Sequence, residues 1–349
     1  MIQANILYVS LYPSVVVPRF DRMVRMHSNT VLLSYETCLL CPNRCKVDRL
    51  AGEIGICGET DAIRVAWSGL HRGEEPPVTG KNGSGMIFFS GCPLHCTYCQ
   101  NHQISGIQRG GEAAVGTLLS IEELSSLMIG LQMIGATNIN LVTGTHFIPS
   151  IIEALRLAKN RGLEIPIVWN SSGYESLEGL NLIDPFVDLY LIDVKSLDVE
   201  VSASFCGLAC YADHIRGVMA FLKERHPRVV EKPDGALQGL LVRHLLFPGT
   251  LEATKVFLRY FAKELKESAF LSLMVQFVPP LGDVHFAEIT EEEYEELLNL
   301  MDRLGIENGF VQELGDNISW IPDFTQDVPF PKGFADALPL FLEMKHRGG

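Results

Sequence analysis

From Ser84 onward, short β-branched or aromatic runs alternate with stretches of helical periodicity, the pattern of successive βα units on a parallel sheet. The runs predict strands at Met86 to Ser90, Asn138 to Thr143, Pro166 to Trp169, Leu189 to Val194, Gly239 to Leu246, Leu271 to Phe277 and Gly309 to Leu314, about six or seven units. Ser120-Ile-Glu-Glu123 and Thr290-Glu-Glu-Glu293 read as capping boxes at helix starts. Ile121, Leu124, Leu127, Leu131 and Ile134 share a helical face, and Leu155 and Ala158 precede a terminating Gly162. These are core stripes. The region has about the length of a closed eight-unit barrel, but fewer units and longer loops. Parallel barrels carry chemistry at the C-terminal ends of their strands, so the candidate site lies there.

Residues 1–83 differ in texture: Gly, Pro and four cysteines, with few long apolar runs. They read as a metal-stapled N-terminal extension, joined through Lys81-Asn82-Gly83-Ser84-Gly85 to a main domain of residues 84–349. With 349 residues, 47% of them hydrophobic, the chain can bury a large core and is no disordered scaffold. A formal net charge of −14 argues against a nucleic-acid surface. The acidic run Glu288 to Glu296 reads as the solvated face of a helix, with a docking patch for a basic partner as the rival reading. No basic leader opens the chain, and Asn5, Ser10 and Pro13 interrupt its first apolar stretch. No run reaches the roughly 18 apolar residues of a membrane span. The expectation is a cytoplasmic protein whose nine cysteines include metal ligands rather than disulfides.

Directly after the first strand stands Cys92-Pro-Leu-His-Cys96-Thr-Tyr98-Cys99. A C-x3-C-x2-C loop can place three thiolates around one iron-sulfur cube and leave the fourth iron without a protein ligand, whereas a four-cysteine cluster is saturated and mostly relays electrons. A zinc knuckle, the rival, pairs its cysteines with a second pair farther on, and none follows closely after Cys99. Cys38, Cys41, Cys45 and Cys57 form a second group, C-x2-C-x3-C-x11-C, suited to tetrahedral zinc or iron or to an auxiliary cluster.

The Cys92 loop, with its aromatic residue before the last cysteine, resembles the radical S-adenosylmethionine (SAM) superfamily. That resemblance implies an α/β fold with a partial, open (β/α)6-type barrel, here behind the cysteine-rich extension. It also implies a [4Fe-4S] cluster on Cys92, Cys96 and Cys99, and SAM whose amino and carboxylate groups chelate the open iron. Reductive cleavage then gives methionine and a 5′-deoxyadenosyl radical that abstracts hydrogen. Cys38-Leu-Leu-Cys41-Pro-Asn-Arg-Cys45, Gly52-Glu-Ile-Gly55-Ile-Cys57-Gly58, His71 with Glu74 to Pro77, Phe88 to Cys92, Cys99-Gln-Asn101, Asn140 to Thr143, Asn170 to Tyr174 and Arg243-His244-Leu245 are together similar to pyruvate formate-lyase activating enzyme-like proteins.

Further residues stand at the predicted strand ends. Thr143, Gly144 and Thr145 occupy the place where the superfamily commonly has Gly-Gly-Glu for the SAM amino group, a tripeptide absent here. Asn170 and Ser172 suit ribose hydroxyls or the SAM carboxylate, with a helix cap as the plain alternative. Asp193 and Lys195, at i and i+2, point the same way and match the activating enzymes' Asp-x-Lys at the SAM site; a rim salt bridge is their plain reading. Arg243 can clamp a carboxylate with two bonds, His244 reads as a hydrogen-bonded core histidine, and Gln276 as a contact for adenine or substrate. Tyr98 is expected near adenine. Cys206 and Cys210 match no family pattern and read as buried thiols.

The resulting expectation is a radical SAM oxidoreductase resembling the activating enzymes. A reductant such as flavodoxin or ferredoxin would serve it, and a protein substrate would offer a glycine or side chain. A methyl-transferring or small-molecule enzyme and a non-catalytic iron-sulfur carrier or sensor are the alternatives.

Overall fold

The computed structural model describes residues 33–106, 115–280, 289–315 and 321–347, with the backbone alone of Ile6–Val9. Asn5, Ser10, Pro13 and Glu288 lie outside the described residues. In chain order the strands are β1 (Ile6–Val9), β2 (Ile63–His71), β3 (Ser84–Phe89), β4 (Thr117–Leu119), β5 (Ile139–Val142), β6 (Ile167–Ser171), β7 (Leu189–Asp193), β8 (Val230–Glu231), β9 (Leu237–Leu245), β10 (Phe270–Met274), β11 (Gly309–Gln312) and β12 (Ala335–Ala337). Two compact units divide the chain, one comprising residues 1–14, 96–100 and 189–321, the other residues 15–95, 101–188 and 322–349.

In the second of these units the order is β6-β5-β3-β2-β12, with β4 also on β2. β3, β5 and β6 run parallel, joined through helices such as Ile121–Met133 and Ile148–Asn160, while β2 pairs antiparallel with β3. In the other unit the order is β1-β11-β10-β9-β7, with β8 on β9, and β7, β9, β10 and β11 run parallel. Both orders are open, since β12 and β1 each pair with one neighbour. The architecture is the open, parallel-dominated α/β arrangement expected. All seven predicted strands are present, with ends shifted by up to three residues.

The parallel strands read as near-continuous apolar runs because both of their faces are buried. Every residue of β3 and β5 is buried, as are Trp169 and Ile167 of β6 and Leu191 and Ile192 of β7. Burying each such large side chain contributes roughly 1.5–3 kcal/mol. Both capping boxes form: Ser120 and Thr290 accept from the Glu123 and Glu293 amides, and the two glutamates reach back. Ile134 departs from its expected stripe, because the helix ends at Met133 and leaves it exposed. The predicted strand at Leu271 to Phe277 stops at Met274, so Gln276 and Phe277 belong to the following loop.

The largest departure is β2, which lies in the segment read as lacking core. Ser68 and Gly69 interrupt its apolar run, yet eight of its nine residues are buried. Trp67 packs against Phe88 and Phe330 at 6.1 and 5.0 Å, and its indole donates to the Asp327 carbonyl. Ser84 and Gly85, expected at a junction, are the first residues of β3 and pair with His71 and Leu70.

Candidate functional site

β3 ends at Phe89, and the chain enters the cysteine loop through Ser90 and Gly91. Gly91 has φ 82°, and a Cβ there would stand 2.7 Å from both the Cys57 carbonyl oxygen and Cγ of Glu59. Only glycine allows this approach. The cysteine-rich segment then braces the loop: the Cys92 amide donates to the Cys57 carbonyl at 3.1 Å, Asn43 Nδ2 to the Pro93 carbonyl at 2.7 Å, and His95 Nε2 lies 2.7 Å from the Ile56 carbonyl. Tyr174 holds Asn43 in turn by donating to its Oδ1 at 3.3 Å.

Among the described residues, the non-glycine residues with φ in the left-handed region are Arg44, Lys46, His95 and Thr143, with φ 42°, 58°, 54° and 58°. All four lie in the cysteine-rich turn, the cysteine loop or the loop after β5. Such backbone costs about 1–3 kcal/mol per residue and persists where surrounding structure enforces it, which happens most at functional sites.

Cys92, Cys96 and Cys99 form no disulfide, and each is partly exposed. Among the described residues no three His, Cys, Asp or Glu side chains converge on the geometry of a bare metal ion. Three soft donors on one loop, none bonded to another sulfur, match what a cubane takes from a protein. Cys38, Cys41 and Cys57 are buried and Cys45 partly so. A Cβ on Gly55 would stand 3.2 Å from the Cys57 sulfur and 3.6 Å from that of Cys45, so its absence keeps a cradle between the two. Burial pushes the Cys41 thiol up to about 12 and raises that of Cys57, holding both protonated until a cation compensates.

Arg49 was not singled out by sequence and is fully buried. Its guanidinium donates to the carbonyls of His146 and Thr60 and lies over the Tyr35 and Phe147 rings at 4.7 and 5.6 Å. His146 donates from Nε2 to the Ser90 carbonyl at 2.6 Å; burial, and then the Arg49 charge, lower its pKa to about 3, so its ring is neutral. This cation thus fixes the entrance to the cysteine loop from below.

At the end of β5, Thr143 is half-buried and its amide donates to the Asn170 carbonyl at 2.9 Å. Gly144 is pressed against Ile151 and Trp169, where a Cβ would come within 2.7 Å of Ile151. Thr145 donates its hydroxyl to Glu175 Oε1 at 2.7 Å, and the Trp169 indole donates to the same atom at 3.2 Å. Glu175 is fully buried and was missed in the sequence. The only signal for it is an acidic residue directly after the polar run Asn170 to Tyr174. Asn170 is buried and Ser172 partly so.

In the other unit, Asp193 ends β7 beside Arg243 of β9. Lys195 Nζ donates to Asp193 Oδ2 at 2.8 Å, while Asp193 Oδ1 is buried without a partner. Burial alone would lower the Lys195 pKa, but the Asp193 carboxylate and the neighbouring Cys96 outweigh it and the ammonium is strengthened. Tyr211 locks the pair by accepting from the Lys195 amide and donating to the Asp193 carbonyl, both at 3.1 Å. Tyr98 packs edge-on against Phe247 at 4.5 Å and near Phe205 and Phe277, under the Lys195 ammonium at 6.0 Å, with its hydroxyl buried and unpartnered. An unpaired carboxylate oxygen and a phenol beside a cation are the polar lining an amino-acid-bearing ligand needs.

His244 is a core histidine: Nδ1 meets the Val194 carbonyl at 2.8 Å, Nε2 meets Thr254 at 3.0 Å, and burial lowers its pKa to about 4. Gln276 lies in the loop after β10, where its Nε2 donates to the Glu313 carbonyl at 3.1 Å and its Oε1 accepts from Gln312 at 3.0 Å, so one N–H of its amide remains for a ligand. Cys206 is buried as expected. Cys210 is exposed, because it caps the N-terminal end of the helix Tyr211–Arg225 rather than facing the core.

No helix among the described residues is long and apolar enough to cross a membrane. Residues 86–231 match the family model described as the Radical SAM superfamily. The uncharacterized protein MJ0674 of Methanocaldococcus jannaschii is 26% identical over 278 residues, covering 78% of this chain and 76% of that one. Two solved structures are similar at 15% identity and a TM-score of 0.46. One is native anSMEcpe with bound AdoMet, covering 64% of this chain and 61% of its own; the other is a radical SAM methyltransferase from Sphaerobacter thermophilus, covering 68% of each. The chain thus spans a little under two thirds of the length of the first.

Proposed function

We propose, from the match of residues 86–231 to the Radical SAM superfamily model, an enzyme that holds a [4Fe-4S] cluster on Cys92, Cys96 and Cys99 with SAM beside it. Bound together, cluster and SAM supply reductive cleavage to methionine and a 5′-deoxyadenosyl radical that abstracts hydrogen from a substrate. The observation that carries this reading is the set of three partly exposed cysteines, none in a disulfide, on a loop pinned by a buried strand at one end and by three extension contacts.

The chain's own residues bind and orient. Asp193, through its unpaired Oδ1, would be the acceptor for the SAM amino group, and Lys195 and Arg243 would offer charge to its carboxylate. Tyr98 supplies a ring edge for adenine, backed by Phe247 and Phe205. Asn170, Ser172 and the loop Thr143, Gly144 and Thr145 offer hydroxyl, amide and backbone groups for the sugar and amino-acid ends. Thr145 acts mainly through Glu175, to which its hydroxyl is already bonded. Cys38, Cys41, Cys45 and Cys57, which do not converge on the geometry of a bare ion, would be the ligands of a second metal or an auxiliary cluster in the segment bracing the loop. A flavodoxin- or ferredoxin-type reductant supplies the electron, and the substrate is a glycine or side chain of a partner protein.

Anaerobic reconstitution with iron and sulfide, followed by dithionite and SAM, tests this reading. The expected product is 5′-deoxyadenosine. S-adenosylhomocysteine in its place would mean methyl transfer, and neither product with a fully assembled cluster would leave an electron carrier.

A further inference from the structure

The motif Phe205-Cys-Gly-Leu-Ala-Cys-Tyr211 has no part in the chemistry above, yet both of its ends reach residues assigned to SAM. Helix Val199–Cys206 stops at Gly207, φ 70°, and a short turn, closed by the Tyr211 amide on the Leu208 carbonyl at 3.2 Å, leads into helix Tyr211–Arg225. At one end the Phe205 ring stacks on Phe247 at 4.4 Å and 11°, and Phe247 meets Tyr98 edge-on. At the other end Tyr211 is fully buried and spends its hydroxyl on the main chain to either side of Val194.

β7 ends at Asp193, so the amides and carbonyls that follow leave the sheet ladder and need partners elsewhere. The Val194 amide donates to the Arg243 carbonyl at 2.9 Å. The Val194 carbonyl lies 2.8 Å from His244 Nδ1, which therefore carries the hydrogen, because a carbonyl only accepts; His244 Nε2 stands 3.0 Å from the Thr254 hydroxyl. Tyr211 completes the set, accepting from the Lys195 amide and donating to the Asp193 carbonyl, both at 3.1 Å. These bonds go to the backbone, so they fix where the Asp193 and Lys195 side chains start without occupying them. Asp193 Oδ1 is left without a partner. Groups held in place by their neighbours lose less freedom when a ligand arrives, and a site depends on that supporting shell.

We propose that Tyr211, backed by His244, is a positioning residue for SAM: it holds the backbone from Asp193 to Lys195 so that carboxylate and ammonium are presented together. This inference rests on the proposed radical SAM reading. The test is equilibrium dialysis of labelled SAM against the anaerobically reconstituted full chain, with iron and sulfide measured to count assembled clusters, for the wild type, Tyr211→Phe and His244→Phe. Each variant keeps an aromatic ring in the core and loses the bonds to the backbone. Tyr211→Phe is expected to weaken SAM binding about tenfold per assembled cluster, the drop in binding-competent chains when two hydrogen bonds of ordinary strength are lost. His244→Phe is expected to shift it in the same direction by a smaller factor. In turnover the KM for SAM rises, while 5′-deoxyadenosine formation at saturating SAM stays near that of the wild type. A merely structural role lowers the number of clusters assembled and leaves their dissociation constant for SAM unchanged. That result for Tyr211→Phe overturns the inference alone. Where Tyr211→Phe assembles no cluster, His244→Phe decides by the same criterion, and failure of both to assemble one also overturns the inference. A wild-type chain that assembles no cubane, or whose cubane binds no SAM, overturns the underlying reading and this inference together.

Discussion

Replacing Cys96 with alanine is expected to remove the cubane's absorbance and paramagnetic signal and to drop 5′-deoxyadenosine formation to background, while the fold survives. Cys96 is only partly exposed, so its truncation deletes one sulfur from a loop rather than from the core; the stability cost is about 1 kcal/mol. The functional cost is all or none, because a cluster with two protein ligands has lost one of the corners that anchor it. Cys92→Ala and Cys99→Ala are expected to behave the same way. Urea unfolding separates the two costs. A Cys96→Ala protein that still assembles a cubane and makes product would remove Cys96 from the ligand set.

The second large effect is expected at Gly91. An alanine there meets two penalties: a left-handed φ that costs roughly 1–2 kcal/mol for a residue with a Cβ, and a Cβ 2.7 Å from the Cys57 carbonyl, which is backbone and cannot swing away. Together they give a loss of about 2–4 kcal/mol. Gly52 is the control, with φ 85° and nothing within 4 Å of its Cβ position, so its alanine variant bears the conformational penalty alone. The Gly91 substitution is also expected to loosen cluster binding, since relieving the clash pulls the loop off the Cys57 and Asn43 contacts. Equal stabilities for Gly91→Ala and Gly52→Ala would show that the close approach contributes nothing.

The parallel strands were legible because a strand buried on both faces is an uninterrupted apolar run. Met86 to Phe89 and Leu189 to Ile192 announce themselves by composition. β2 was not legible, because Arg64, Ser68 and Gly69 break its run and its burial depends on partners far away in sequence, β3 and the Phe330 region. The cysteines were legible because soft ligands at fixed short spacing are a local code. Arg49 and Glu175 were not, since a single charged residue in a loop looks solvated until the fold closes over it. What marks them out, two carbonyls converging on one and two donors on the other, is purely tertiary. Gln276 shows another tertiary coupling: its Oε1 accepts from Gln312, which no local pattern couples to it.

The central proposal is a cube of iron and sulfide that three thiolates would hold at only three corners. The most direct measurement is the electron paramagnetic resonance spectrum of the dithionite-reduced, anaerobically reconstituted chain, taken before and after addition of SAM. A [4Fe-4S] signal whose g-values change on adding SAM is the predicted result. A signal indifferent to SAM, or zinc bound by Cys92, Cys96 and Cys99 in place of iron, would contradict it.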